Sequence, residues 1–419
     1  MGVETGSDTP ARLRRAQVIS LALYVISLAT AMSGMEIFST LLTLLFLPSL
    51  IWFVPRPWPQ IPLLRPIALF VAIAVVGILL SDSGRSDKLY DLGRMRFFLW
   101  YVVLFLYLHQ ADPTRLWIRC LWVTTLVVGV YGFIQHFVAI DWIRPEGKKV
   151  LLYAIQDEKI GPLVVGTFNH HLTFSNIYLF YACLFLSVGF ALKRWGMMVL
   201  HGAFLFLLCF WTESRAAWVA IPVCVTVILG YHRRRFLWLA PVGLALFLVA
   251  LYGLDPGFRQ RLNRTFSGDD FWGGGPRYRL WSAQWEMFKD HPWLGVGYNN
   301  NERFAKTYVD RLYPNRTNFY GHAHSTVLQI LTTTGIFGFL AFIWLWIQVF
   351  VLCHRCARSP DLSIKGMGVG LLAAFLGFHI QGLTQWNFGD AEVLHNVIFF
   401  WAVISVIAQK NCLRTNGVL

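Results

Sequence analysis

Apolar residues run through this chain in blocks of about twenty, the length that crosses a bilayer as a helix. A transmembrane β-barrel would instead show shorter segments of alternating polarity. The blocks fall at 17–33, 36–54, 63–81, 95–109, 116–137, 172–192, 196–211, 215–231, 236–253, 325–352, 366–383 and 391–409. The pattern predicts an all-α polytopic membrane protein with about twelve transmembrane helices. The first block follows Arg12, Arg14 and Arg15 and has no small-residue cleavage site. It reads as a retained first span rather than a removed signal peptide.

Two segments on one side of this layout are long, 138–171 and 254–323. The chain therefore divides into a membrane domain over 1–253, a loop region over 254–324 and a second membrane part over 325–419. Within the larger loop, Arg279–Lys289 and Asn299–Val309 have the mixed aromatic and charged pattern of interfacial amphipathic helices. A loop this long is usually functional. It is expected to roof an apolar, lipid-open cavity between the spans and to stay mobile until substrate binds.

Composition agrees with the pattern: 56% of the 419 residues are hydrophobic and 14% are charged. The net charge of +14 is unevenly placed. The termini and the loops on their side carry 17 Lys/Arg against 4 Asp/Glu, while the other side carries 19 against 18. By the positive-inside rule both termini are cytoplasmic. The basic surplus, densest at Arg233-Arg234-Arg235, is thus a topology signal and does not call for nucleic acid. The seven cysteines lie in apolar runs or in loops on the cytoplasmic side, so no disulfide framework is expected. Cys353-His-Arg-Cys356 has no second pair to complete a metal site.

Candidate chemistry collects on the outer side. Thr212-Glu-Ser-Arg-Ala-Ala-Trp218 places Arg215 at a helix start, where a guanidinium and unpaired N–H groups suit a phosphate; snorkelling to headgroups is the competing role. Gly273-Gly-Gly-Pro-Arg-Tyr-Arg-Leu-Trp281 offers Arg277 and Arg279 after a flexible run, as an anion site or a basic solvated loop. Asp269-Asp270 just before it resembles a metal pair only loosely. Gly166-Thr-Phe-Asn-His-His-Leu-Thr-Phe174 carries His170 and His171, which read as bases, ligands or interfacial histidines. Gln385-Trp-Asn-Phe-Gly-Asp-Ala-Glu392 carries Asp390 and Glu392, which suit orienting a base, binding a sugar hydroxyl or, for Asp390, capping a helix. Where the large loop meets the tenth block stands Gly321-His-Ala-His, with His322 and His324. An imidazole there can act as a base near neutral pH. The residues alone do not choose between the two. P-loop, dinucleotide, HExxH and nucleophile-elbow motifs are absent from the sequence.

His324-Ser325, nine residues, then Gly335-Ile-Phe-Gly338 matches the pattern H-[NSQ]-x9-G-x-x-G. With Thr212–Trp218, Arg279-Leu-Trp-Ser and His291-Pro-Trp-Leu-Gly-Val-Gly297 around it, the chain resembles the O-antigen ligase and polymerase superfamily over nearly its whole length. Trp386-Asn-Phe-Gly-Asp-Ala-Glu-Val393 is more similar to the lipopolysaccharide O-antigen ligases within it. The resemblance implies a C-type glycosyltransferase fold with the large periplasmic loop between spans nine and ten. It implies an inner-membrane enzyme, a periplasmic active site and a metal-independent, inverting reaction without a cofactor. The implied partners are an undecaprenyl-diphosphate-linked glycan donor and a lipid A core oligosaccharide acceptor, met in the lipid bilayer.

Carried over by residue, the resemblance makes His324 the general base and has Arg215 and Arg279 hold the donor diphosphate. His322, Arg277, Asp390, Glu392 and His170 are possible supporting residues. Neighbouring arginines are expected to lower the pKa of His324, since like charges disfavour its protonated form. The alternatives are a polymerase or protein O-oligosaccharyltransferase of the same superfamily, which differ in acceptor, and a transporter of the lipid-linked glycan. A transporter would line its path with charges in mid-span. Here the span interiors are mostly apolar, which favours an enzyme.

Overall fold

A backbone in hydrocarbon must satisfy its own N–H and C=O groups, and a helix does so within one segment. The computed structural model follows that rule. It describes residues 11–52, 59–111, 113–143, 152–155, 158–234, 236–254, 259–260, 262–263, 276–314 and 320–415. The helices, numbered here in chain order, are α1 (Ala11–Leu28), α2 (Met32–Trp52), α3 (Leu64–Leu80), α4 (Arg85–Arg94), α5 (Arg96–Ala111) and α6 (Thr114–Val138). Then come α7 (His171–Leu192), a π-helical turn at Trp195–Val199 leading into α8 (Leu200–Phe210), α9 (Arg215–His232) and α10 (Phe236–Leu254). Last are α11 (Pro276–Asp290), α12 (Asn301–Leu312), α13 (Thr326–Ala357), α14 (Leu362–Gly382) and α15 (Ala391–Thr415).

Each apolar block of the sequence overlaps one of α1–α3, α5–α10 or α13–α15. Among the described residues, 7 helical stretches are long and apolar enough to cross a membrane, and α3 and α8 are shorter apolar helices. The chain is therefore a multi-pass helical membrane protein. Large apolar side chains such as Leu99, Leu200, Trp238 and Val249 are exposed on its outside. An apolar exterior around an apolar core is what lipid, not water, stabilises.

α7 runs through the centre with nearly every side chain buried, and α14 packs along it. Their approach is set by glycines. A Cβ on Gly366 would lie 2.9 Å from Val188 Cα, and one on Gly370 2.9 Å from Leu184 Cα. Small residues four apart let two helices pack backbone to backbone, where dispersion and weak polar contacts replace the missing hydrophobic drive.

Three features add to the sequence reading. The outer segment after α6 contains an antiparallel hairpin, β1 (Leu152–Ile155) with β2 (Glu158–Pro162), pairing Tyr153 with Ile160 and Ile155 with Glu158. The helical class holds, with this small addition outside the apolar blocks. Second, α13 is broken inside: Gly335 has φ 63° and ψ −168°. Third, the described part of the large loop packs as two helices against the bundle. α11 and α12 share a small core of Leu280, Ala283, Met287, Tyr308 and Val309. Arg303 of α12 ion-pairs with the buried Asp91 of α4 at 2.7 Å. Asp269, Asp270 and Gly273–Gly275 lie outside the described residues.

The break in α13 explains how the loop docks. The freed amide of Ile336 donates to Pro292 O (2.8 Å), and Val296 N donates to Thr332 O (3.0 Å). The 291–297 segment thus inserts its backbone into the opened turn. A Cβ on Gly335 would overlap the Trp293 carbonyl and lie 2.5 Å from Leu294 N. Gly338 is small for a related reason: the kink brings the Thr334 side chain onto the place a Cβ would occupy. Both glycines of the sequence pattern are therefore packing requirements of this joint.

Candidate functional site

At one end of the bundle, helix ends surround a cavity of about 620 Å³. The starts of α7, α9 and α11, the end of α4 and the segments before α13 and α15 all reach it. Its lining is mainly charged and polar, which corrects the expectation of an apolar cavity. The reason is that helix ends supply caps and turn residues, while the apolar faces point to lipid or core.

His324 stands just before Ser325, whose Oγ accepts from Leu328 N and caps α13. Its backbone is left-handed, with φ 46°, a conformation uncommon for a residue with a side chain. The chain there is held on both sides. Ala323 N donates to Gln329 Oε1 (2.8 Å), and Ala323 O accepts from Trp281 Nε1 (2.9 Å). Gln329 is itself paired with Asn301, which also reaches Gln284 at 3.1 Å. Residues of α11, α12 and α13 thus grip the one residue between the two histidines. His322 Nδ1 accepts from His324 N at 3.1 Å, so a neutral His322 carries its proton on Nε2. The two rings lie 4.0 Å apart.

Burial pushes the pKa of His324 down to about 3, helped by His322, Arg277 and His170. The expected direction is present, but desolvation leads and the arginine follows. His322 is lowered by burial and by Arg277, against the opposing pull of Glu302. His170 is lowered by burial against Asp390. Its Nδ1 accepts from Leu172 N at 3.1 Å, so it caps α7 while lining the cavity. A neutral imidazole is free to accept a proton from a hydroxyl, and an anion held by the guanidiniums beside it raises its lowered basicity.

Arg215 lies on the cavity wall at the first position of α9, and Ser214 caps that helix by accepting from Ala217 N. Arg277 also lines the cavity; Arg279 does not. Two residues apart on a helix point to different faces, and the face with Leu280, Ala283 and Met287 is committed to the loop core. The structure thus brings Arg277, not Arg279, to the wall. Asp390 lines the cavity and Glu392 does not. Asp390 Oδ1 accepts from Glu392 N (3.1 Å), and its Oδ2 accepts from Thr173 Oγ1 (2.5 Å). Asp390 therefore both caps α15 and ties it to α7.

Several residues here were not picked out from the sequence. A belt of amides forms the floor. Gln385 Nε2 donates to Ser214 Oγ (3.2 Å), Asn176 Nδ2 to Gln385 Oε1 (2.7 Å) and Asn387 Nδ2 to Asn176 Oδ1 (2.9 Å). Thr326 Oγ1 closes the belt by donating to Asn387 Oδ1 at 2.7 Å. Arg94 lines the wall and donates to Gly389 O at 2.8 Å. Gln385 and Asn387 sit in a motif noted above for its acids, whereas Asn176 is hidden inside an apolar block. Amides give no sequence signal of their own until a fold brings them together.

Residues 200–343 match the family model for O-antigen ligase. No curated protein matches the chain. The matched part runs from α8 into α13 and contains Arg215, Arg277, Arg279, His322, His324, Gly335 and Gly338. It supports the O-antigen ligase and polymerase superfamily.

Proposed function

Taking a multi-pass membrane protein of the O-antigen ligase and polymerase superfamily as premise, we propose that the chain is an O-antigen ligase. It transfers a glycan from undecaprenyl diphosphate to a sugar hydroxyl of the lipid A core, on the periplasmic face of the inner membrane. The observation that carries this reading is one cavity that contains a neutral, half-buried His324 together with Arg215 and Arg277. His324 takes the acceptor proton as the hydroxyl oxygen attacks the anomeric carbon. The bond from that carbon to the diphosphate oxygen breaks in the same displacement, so the centre inverts. The guanidiniums stabilise the charge that builds on the leaving diphosphate. Arg277 takes the place first expected of Arg279, because it is the one on the wall. The basic surplus at the opposite end supports a periplasmic orientation for the cavity.

The test is ligation by purified protein supplied with an undecaprenyl-diphosphate glycan and lipid A core. Wild type yields glycan-capped lipid A, and His324→Ala, folded by melting, does not. A near wild-type rate in that variant removes the base assignment. Glycan lengthening without capping assigns a polymerase instead. Arg215→Gln and Arg277→Gln each raise the donor KM by about tenfold or more, the worth of one charge-assisted hydrogen bond. Arg279→Gln changes it less; the reverse order returns that role to Arg279.

A further inference from the structure

A second cavity, of about 960 Å³, opens at the other end of the bundle. Arg115 and Arg119 from the start of α6, Arg194 from the turn after α7 and Lys410 from α15 line it. Among its described lining residues none is acidic. The three arginines are exposed. The inner wall is apolar and buried, formed by Val188 of α7, Met367 of α14 and Ile407 of α15. Arg115 and Arg119 are four apart on one helix face, where like charges repel, and they stand at the positive end of the α6 dipole. An anion between them relieves both terms. The positive-inside rule accounts for many cations at this end. It does not account for four of them ringing a cleft with a greasy wall.

We propose that this cavity binds an anionic glycerophospholipid, with its phosphate among the four cations and an acyl chain along Val188, Met367 and Ile407. Basic pockets between transmembrane helices recognise such headgroups by charge. The apolar wall selects a lipid over a free phosphate, because a small anion leaves that wall uncovered. The inference rests on the membrane setting and not on the transferase reading, since no residue of the first cavity takes part.

The test uses full-length protein in micelles with phosphatidylglycerol and phosphatidylcholine of matched chains, counting bound lipid by native mass spectrometry. Wild type retains phosphatidylglycerol about tenfold or more in preference, as several lysines or arginines near an anionic headgroup imply. The variant R115Q/R119Q/R194Q brings the preference to within about twofold. The control R233Q/R234Q, exposed and outside the cavity, keeps it. Should the triple variant fail to fold, R119Q alone lowers the preference by about fivefold. No preference in wild type, an equal loss in the control, or full displacement of the lipid by inorganic phosphate overturns the proposal.

Discussion

Replacing Gly335 by alanine tests the joint between the large loop and α13. The position has φ 63° and ψ −168°, a region that residues with a side chain hardly enter. Strain of this kind costs about 1–3 kcal/mol. The added Cβ also meets backbone on the loop side, the Trp293 carbonyl and Leu294 N, which cannot rotate away as a side chain would. Relief requires the loop to retreat. That lengthens the bonds Ile336 N to Pro292 O and Val296 N to Thr332 O, now 2.8 and 3.0 Å. Each is worth about 1 kcal/mol. The total is about 3–5 kcal/mol, roughly a 3–6 °C fall in melting temperature for a chain this large. The retreating segment joins α11 to α12, so Arg277 shifts and the donor KM rises. The assay is thermal melting in detergent, followed by ligation. Gly93→Ala is the control, since a Cβ there meets nothing within 4 Å. If Gly335→Ala melted within about a degree of wild type and kept its donor KM, the docking argument would be wrong.

Other outcomes follow from the same contacts. Gln329→Leu strands the buried Ala323 N and Asn301 Oδ1, costing about 2–4 kcal/mol. It also loosens the segment carrying His324, so kcat falls more than KM rises; Trp281→Phe, which removes one bond to Ala323 O, does the same more mildly. An unchanged kcat in a folded Gln329→Leu protein separates the grip on Ala323 from catalysis. The pH profile is a third check. The neutral form of His324 is the base, and its pKa is held down near 3, so kcat/KM shows no acid limb from it near the ordinary value of about 6.5. Bound diphosphate offsets the nearby cations and raises the pKa, placing the acid limb of kcat at higher pH than that of kcat/KM. A wild-type kcat/KM acid limb near pH 6.5 that persists in His322→Gln and His170→Gln would contradict the burial argument.

The sequence alone determined the helical membrane class and the position of each apolar helix, because every segment in lipid must satisfy its backbone internally and shows this as an unbroken apolar run. It also marked His324, Arg215 and the two glycines, through a spacing that resembles a known superfamily. It did not say why the glycines are there. Gly335 is required by a loop some forty residues upstream in the chain, and a contact of that kind leaves no periodic trace. Composition and spacing leave Arg277 and Arg279 alike, and the resemblance favoured Arg279. Only the rotation of α11 about its small core turned one to the cavity. The amide belt of Ser214, Gln385, Asn176, Asn387 and Thr326 joins four distant segments, and its members look unremarkable in any one of them. Burial, too, exists only in three dimensions. The sequence placed a histidine at a boundary, and tertiary packing stripped enough water from it to keep it neutral.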